Sequence, residues 1–209
     1  CVDLDLGCPV ISGLERSFGT VHEVVRSARV VIEELQGSGV AACIKHFPGH
    51  GSSAADSHLG FVDVSDSWLP LELEPYRLLL GEDRVDLLMT GHLFNRHLDP
   101  DHPATLSAAI IDGLLRSDLG YEGVVVSDDM QMKAITDHYS FEEAVCRSLA
   151  AGVDMLVFGN NLDYCRDICP RAINAIEAGI DRGILSEARL RTALDRVKRL
   201  KQRLVNDHD

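Results

Sequence analysis

The 209-residue sequence has little positive charge. It contains 20 lysine and arginine residues against 33 aspartate and glutamate residues, which gives a formal net charge of −13 at pH 7. Nucleic acids and anionic membrane surfaces attract basic proteins, so this balance argues against non-specific binding to either. We therefore expect no nucleic-acid partner and no membrane partner.

Long hydrophobic runs and nucleotide-binding motifs are also missing. No apolar run approaches the roughly 20 residues that a membrane-spanning helix needs. No G-x-G-x-x-G or Walker-type loop opens a predicted helix, which counts against a nucleotide site. The sequence begins at Cys1 without an initiator methionine or a signal-peptide pattern, and we interpret it as a fragment.

The six cysteines of this 209-residue chain do not form the disulfide framework of a small secreted domain. Cys43 and Cys146 lie in apolar contexts, which predicts buried thiols in a reducing compartment. We expect a cytoplasmic protein on this ground.

Short apolar segments alternate with segments of helical periodicity along the chain, whose length suits one domain over 1–209. The predicted strands are 2–6, 40–44, 86–90, 123–126 and 154–158. The predicted helices are 21–35, 72–80, 107–118, 141–151, 168–178 and 186–204. Such alternation is typical of an α/β protein with a parallel sheet covered on both faces.

Polar residues follow the predicted strands, as in Lys45-His46, Gly91-His92, Ser127-Asp128 and Gly159-Asn160. This arrangement fits a (β/α) barrel or a doubly wound sheet, both of which place their sites at the carboxyl ends of the strands. About five strands are predicted where a full barrel needs about eight. The residues alone therefore indicate an incomplete barrel or a smaller open sheet.

The segment from Lys45 to His58, K-H-F-P-G-H-G-S-S-A-A-D-S-H, concentrates titratable groups after a buried strand. Asp56 lies two residues before His58, and a carboxylate beside an imidazole prepares a general acid/base. A zinc site is the competing interpretation, because His46, His50, Asp56 and His58 are all acceptable ligands. His46 and His50 have H-x-x-x-H spacing but lie on no predicted helix, and Lys45 would repel a cation, so we expect neither a metal nor a cofactor.

Two further polar clusters are candidates for the same edge. In V-V-V-S-D-D-M, Asp129 is well placed to cap a helix that starts at Met130, whereas Asp128 is better placed to face a barrel mouth. Capping alone remains an alternative for both carboxylates. Arg16 either pairs with an acid on the surface or binds ligand hydroxyls through its planar guanidinium.

Taken together, the motifs resemble glycoside hydrolase family 3, specifically the bacterial β-N-acetylglucosaminidases (β-hexosaminidases) of peptidoglycan recycling. The resemblance extends over nearly the whole chain, and the motifs follow the family order. They are E-R-S-F-G, K-H-F-P-G-H-G, D-S-H-L-G, L-M-T-G-H, P-A-T-L-S, S-D-D-M and A-G-V-D-M-L.

The resemblance implies a (β/α)8 TIM-barrel-type catalytic domain and a retaining double displacement. It assigns Asp128 as the nucleophile and His58, with Asp56 as its partner, as the general acid/base in place of a second carboxylic acid. It also implies that the pocket holds N-acetylglucosamine-containing saccharides. The residues implied in sugar binding are Arg16, Lys45, His46 and His92.

The sequence departs from the family in two places. The first barrel strands and a Gln-Glu-Gly-Gly-type segment are absent upstream of Val2, and Ser52-Ser53 stands where Asp-Thr is common. We interpret the stretch from Pro48 to Ser53 as a hinge that lets the acid/base loop close. We also expect the missing strands to come from an upstream segment or from another chain.

Two other functions stay open beside hydrolysis of terminal N-acetylglucosamine from peptidoglycan fragments. A glycoside phosphorylase is one, because a histidine acid/base repels phosphate less than a carboxylate does. A truncated, non-catalytic sugar-binding domain is the other.

Overall fold

The structure, a computed structural model, describes residues 1–54, 60, 62–82, 85–161 and 163–206. Six α-helices are numbered in chain order. They are α1 (Val21–Gly37), α2 (Glu74–Leu80), α3 (Lys133–Thr136), α4 (Phe141–Ala151), α5 (Ile168–Asp181) and α6 (Glu187–Asn206). A π-helix spans Ala109–Asp118, and short 3₁₀ turns span Ser12–Leu14, Pro70–Leu73 and Ala104–Leu106.

The strands of the described residues form a four-stranded parallel sheet and a separate two-stranded pair. They are β1 (Cys43–Phe47), β2 (Val62–Asp63), β3 (Leu87–Thr90), β4 (Leu93–Phe94), β5 (Val124–Asp129) and β6 (Met155–Val157). The main sheet has the order β1-β3-β5-β6, and β2 pairs with β4. The prediction of an α/β protein with a parallel sheet is confirmed.

Local sequence signals account for where several helices begin and end. At the start of α1, the Thr20 amide donates to the Glu23 carboxylate at 2.9 Å, which is half of a capping box. Ser140 accepts from the Glu143 amide at the start of α4, and Gly152 ends that helix with φ +120°. The helix predicted over 141–151 is observed with the same bounds.

The strand predictions are less accurate at their ends. Residues 2–6 form no strand, although the Val2 amide donates to the Lys45 carbonyl at 2.8 Å. The strand predicted over 40–44 begins and ends three residues later, at Cys43–Phe47. Ser127, Asp128 and Asp129 belong to β5 rather than following it.

The hydrophobic core lies between the main sheet and the helices on one of its faces. Ile44, Leu88 and Val125 project from β1, β3 and β5 into a cluster that includes side chains of α1, α2 and the π-helix. On the opposite face Cys43 is exposed and Met155 is 38% exposed. The prediction that Cys43 is a buried thiol is therefore wrong, because helices cover only the other face of its strand.

The sheet does not close into a barrel in the described part of the chain, where four strands lie side by side. None of the helices in the described ranges is both long enough and apolar enough to cross a lipid bilayer.

Candidate functional site

The candidate site lies at the carboxyl ends of β1, β3 and β5. Lys45 and His46 occupy the second half of β1, next to the end of β3. Lys45 is partly exposed, and its ammonium makes no hydrogen bond or ion pair within the described residues. A Cβ on Gly91 would lie 3.2 Å from the His46 Cβ, so a glycine here allows β3 to end against His46.

Arg16 and His46 lie together in the structure. Arg16 Nη1 donates to the Val10 carbonyl at 2.9 Å, and Nη2 lies 3.4 Å from His46 Nε2. The loop that carries Arg16 is thus held beside the end of β1. Two of the residues that the sequence implicates in sugar binding therefore share one location.

Asp3 connects the N-terminal segment to this location and was missed in the sequence. Its carboxylate is buried and lies 2.7 Å from His46 Nδ1. It also accepts from the backbone amides of His46 at 3.1 Å and His50 at 2.9 Å. Burial alone would raise the pKa of Asp3, but the charge and hydrogen bond of His46 outweigh it and leave this pKa below its usual value.

Glu72 is a second buried carboxylate that holds the same loop. It accepts from the Gly51 amide at 2.8 Å, from the Ser52 amide at 3.3 Å and from the Ser52 hydroxyl. A Cβ on Gly49 would lie 2.5 Å from the Glu72 Cβ, and one on Gly51 would lie 2.4 Å from the Leu4 carbonyl oxygen. The two glycines therefore allow the loop backbone to pack closely against Glu72 and Leu4.

The contacts of Pro48 to Ser53 do not favour a hinge in this stretch, and the hinge stays a prediction. The stretch is buried apart from Ser52, which is partly exposed, and hydrogen bonds fix it to both neighbouring carboxylates. Such a segment opposes the change in backbone dihedrals that a hinge needs.

The two aspartates at the end of β5 have different surroundings. The Asp129 carboxylate accepts from the amides of Gln131 at 3.0 Å and Gly159 at 3.1 Å. The Asp128 carboxylate accepts only the amide of Asp129, at 2.9 Å, within the described residues. Asp129 thus stabilises the turn before α3, which begins at Lys133 rather than Met130, and Asp128 stays available for a ligand.

His92 follows β3 and is buried, with protein partners for both ring nitrogens. Nδ1 lies 2.8 Å from Thr105 Oγ1, and Nε2 lies 2.9 Å from the Asp129 carbonyl oxygen. Burial lowers the pKa of His92, so the neutral ring donates from Nε2 to that carbonyl. These contacts support the end of β5, and a sugar contact of His92 stays a prediction.

One group of side chains in the described residues could hold a metal ion. Ligand atoms of Cys1, Asp3 and His46 lie within 4.8 Å of one another. The Asp3 carboxylate is already hydrogen-bonded to His46, and Arg16 places a positive charge beside the same ring. These neighbours disfavour a cation. His50, another zinc candidate, instead has Nδ1 3.6 Å from the Cys8 sulfur.

Asp56 and His58, the predicted acid/base pair, lie outside the described residues. The structure does place the residues before them, since Gly51 and Ser52 are anchored by Glu72. The roles of Asp56 and His58 stay predictions from the sequence.

Comparison with known proteins shows the family of the chain. The family model described as "Glycosyl hydrolase family 3 N terminal domain" matches residues 9–200. The chain belongs to glycosyl hydrolase family 3. The family resemblance stated from the sequence is thereby confirmed.

Individual relatives match only with part of their length. A protein named beta-hexosaminidase from Tolumonas auensis is 37% identical over 164 residues, which are 77% of this chain and 48% of that protein. A glycoside hydrolase family 3 beta-N-acetylglucosaminidase structure from Paenibacillus sp. superposes with a TM-score of 0.86 at 35% identity, over 99% of this chain and 39% of that one. A structure titled beta-glucoside phosphorylase BglX gives a TM-score of 0.83 at 27% identity, over 100% of this chain and 39% of that one. The chain thus spans about half the length of the curated relatives it matches.

Proposed function

We propose that this chain forms part of a retaining exo-β-N-acetylglucosaminidase that removes terminal N-acetylglucosamine from β-linked glycosides such as peptidoglycan fragments. The observation that carries the proposal is the pairing of Arg16 with His46 at the edge where Asp128 also lies. β3 alone separates β1 from β5, so the backbones of these two strands lie about 10 Å apart, two strand spacings. Relatives named beta-hexosaminidase support the choice of sugar.

In the proposed reaction, Asp128 attacks the anomeric carbon while His58 gives its proton to the leaving glycosidic oxygen. A covalent glycosyl-enzyme forms and the aglycone departs. Water then attacks the same carbon, His58 takes the proton of that water, and Asp128 is released, which retains the configuration. Asp56 fixes the His58 ring, and Arg16, Lys45, His46 and His92 contact the sugar.

The isosteric substitution Asp128→Asn in the full-length protein tests the nucleophile. We expect hydrolysis of an aryl β-N-acetylglucosaminide to fall by about 10⁴-fold or more, the scale seen when a member of a catalytic group is removed. Asp129→Asn is the matched control, because its amide oxygen can still accept the two backbone amides, and it should keep most of the activity. Full activity of Asp128→Asn would refute the assignment.

The acid/base role of His58 has a different signature. His58→Ala should slow hydrolysis most with poor leaving groups, which depend on protonation, and least with activated aryl groups. An equal loss with both kinds of substrate would speak for a binding role instead.

A second candidate, a β-N-acetylglucosaminide phosphorylase, is favoured by the likeness to the phosphorylase structure. Product analysis with and without phosphate separates the two: sugar 1-phosphate indicates phosphorolysis and free N-acetylglucosamine indicates hydrolysis. Binding of the sugar without turnover in either buffer would favour a non-catalytic sugar-binding domain.

The proposal also includes strands that would complete the sheet. A (β/α)8 barrel needs strands beyond the four of the main sheet, and we propose that an upstream segment or another chain supplies them. A cytoplasmic location, where peptidoglycan fragments are recycled, completes the proposal.

A further inference from the structure

We propose that Asp3 is a positioning residue that fixes the tautomer and the direction of the His46 ring for sugar binding. The inference rests on the proposed function for its kinetic consequences, whereas its structural core stands on the contacts of Asp3 itself.

The Asp3 carboxylate is 1% exposed and is surrounded by donors. It accepts from two backbone amides and lies 2.7 Å from His46 Nδ1. An ionised carboxylate has no proton to give, so the proton in the contact with His46 must sit on Nδ1. Whenever the ring is neutral, its lone pair is then on Nε2.

The other side of the ring agrees with this assignment. Arg16 Nη2 lies 3.4 Å from Nε2 and is permanently a donor, so an unprotonated Nε2 can accept from it. A protonated Nε2 would face the guanidinium with like polarity. The single lone pair of Nε2 therefore accepts from Arg16, which fixes the His46 ring and the guanidinium relative to each other, and the other N–H groups of Arg16 can donate to sugar oxygens.

The substitution Asp3→Asn separates positioning from packing, because it keeps the size of the side chain. The Asn carbonyl can accept the two backbone amides only if its NH₂ group faces His46 Nδ1. Nδ1 must then become an acceptor and Nε2 must carry the proton. In the opposite orientation of the Asn side chain, its NH₂ group faces the two backbone amides, and donors then face donors. Either arrangement removes the acceptor that the proposal assigns to Nε2 or misdirects the ring.

The first measurement is the tautomer itself, read from ¹⁵N chemical shifts of histidine-labelled full-length protein, with His46 assigned by its loss in His46→Ala. We expect Nδ1–H in the wild type and Nε2–H in Asp3→Asn. A wild-type ring protonated on Nε2, or an unchanged tautomer in Asp3→Asn, would overturn the inference. The wild-type spectrum alone decides the point if Asp3→Asn does not fold.

The second measurement is kinetic. Asp3→Asn should raise KM for an aryl β-N-acetylglucosaminide by about 10- to 100-fold with a smaller change in kcat, the scale of one hydrogen bond to a charged partner. In a His46→Ala background the same substitution should change KM less than about threefold, since the two residues act as one unit. Equal losses in both backgrounds would mean that Asp3 acts on the fold rather than through His46.

Asp5→Asn is the matched control, because Asp5 lies two residues away and is exposed. It should leave both the His46 tautomer and KM unchanged. If the full-length wild type has no activity on the sugar, the proposed function fails while the tautomer measurement still tests the role of Asp3.

Discussion

At the scale of single residues, burial decides which carboxylates organise the site. Asp3 and Asp5 stand in the alternating stretch V-D-L-D-L, and nothing in that stretch distinguishes them. Asp3 is buried because β1 arrives beside it from a distant part of the sequence, whereas Asp5 stays exposed. The sequence could therefore predict His46 as a candidate but not the carboxylate that contacts it.

Glu72 illustrates the same limit and yields a prediction for stability. Glu72→Ala leaves the buried amide of Gly51 and the partly buried amide of Ser52 without an acceptor, and we expect it to cost about 1–3 kcal/mol of unfolding free energy. Glu72→Gln keeps an acceptor oxygen and should cost less. Denaturant unfolding of the two variants measures the difference, and equal costs would contradict the role of Glu72 as an acceptor.

The pH dependence of Glu72 has a definite sign. Burial raises the pKa of Glu72 above its ordinary value of 4.5, against the opposing hydrogen bonds from Ser52, Leu69 and Gly51. The folded state therefore binds this proton more tightly than the unfolded state does. Stability from this group should fall as pH rises from 4.5 through the folded pKa. In Glu72→Gln the unfolding free energy should no longer show this decrease with pH, which denaturant unfolding measured over the same pH range would reveal.

At the scale of secondary structure, helices were easier to predict than strands for a physical reason. A helix is marked in the sequence by the periodic spacing of its apolar residues and by capping residues at its ends. The helix over 141–151 is therefore predicted and observed with the same bounds. A strand begins where an adjacent strand provides hydrogen-bond partners, and the local sequence does not show where that adjacent strand will lie. Val40 is apolar and was included in a strand, yet it is 50% exposed and precedes the pairing of β1 with β3.

Asp154, in the motif A-G-V-D-M-L, links elements that are distant in sequence. Its carboxylate is fully buried and pairs with Arg116 of the π-helix at 2.8 Å and with Arg189 and Arg196 of α6 at 2.9 and 3.4 Å. It also accepts the Val125 amide of β5 at 3.0 Å. One carboxylate thus holds two helices against the amino-terminal half of β5.

Removing Asp154 should destabilise the protein strongly, because the substitution leaves buried guanidinium groups without a counter-charge. We expect Asp154→Ala to cost about 3–5 kcal/mol in denaturant unfolding. Glu187→Ala is the control on the same helix, since its pair with Arg191 is exposed, and it should cost less than about 0.5 kcal/mol. Similar costs for the two variants would refute the structural role of Asp154.

At the scale of the whole molecule, helices cover one face of the sheet, and in the described part of the chain Cys43 and Met155 are exposed on the other face. The sequence predicts about five strands, and the described residues form four in the main sheet and two in a separate pair. The hydrophobic pattern of the sequence could not show whether the barrel closes, because the strands that complete a barrel can come from outside these 209 residues. The motif residues nevertheless gather at one edge, because parallel strands bring their carboxyl ends together.

The open face allows a direct test of the proposed barrel. Cys43 lies on that face and is exposed, while Cys169 is exposed on α5. If further strands complete the barrel, Cys43 should be alkylated by a maleimide at least about tenfold more slowly in the full-length protein than in the 209-residue segment, since closure of the face excludes the reagent. Cys169 should react at the same rate in both proteins, which controls for the reagent, and the buried Cys146 should stay unreacted in both, which controls for unfolding. Peptide mass spectrometry measures both rates in one sample. Equal rates at Cys43 would show that its face stays open in the longer protein and that the barrel is not completed there.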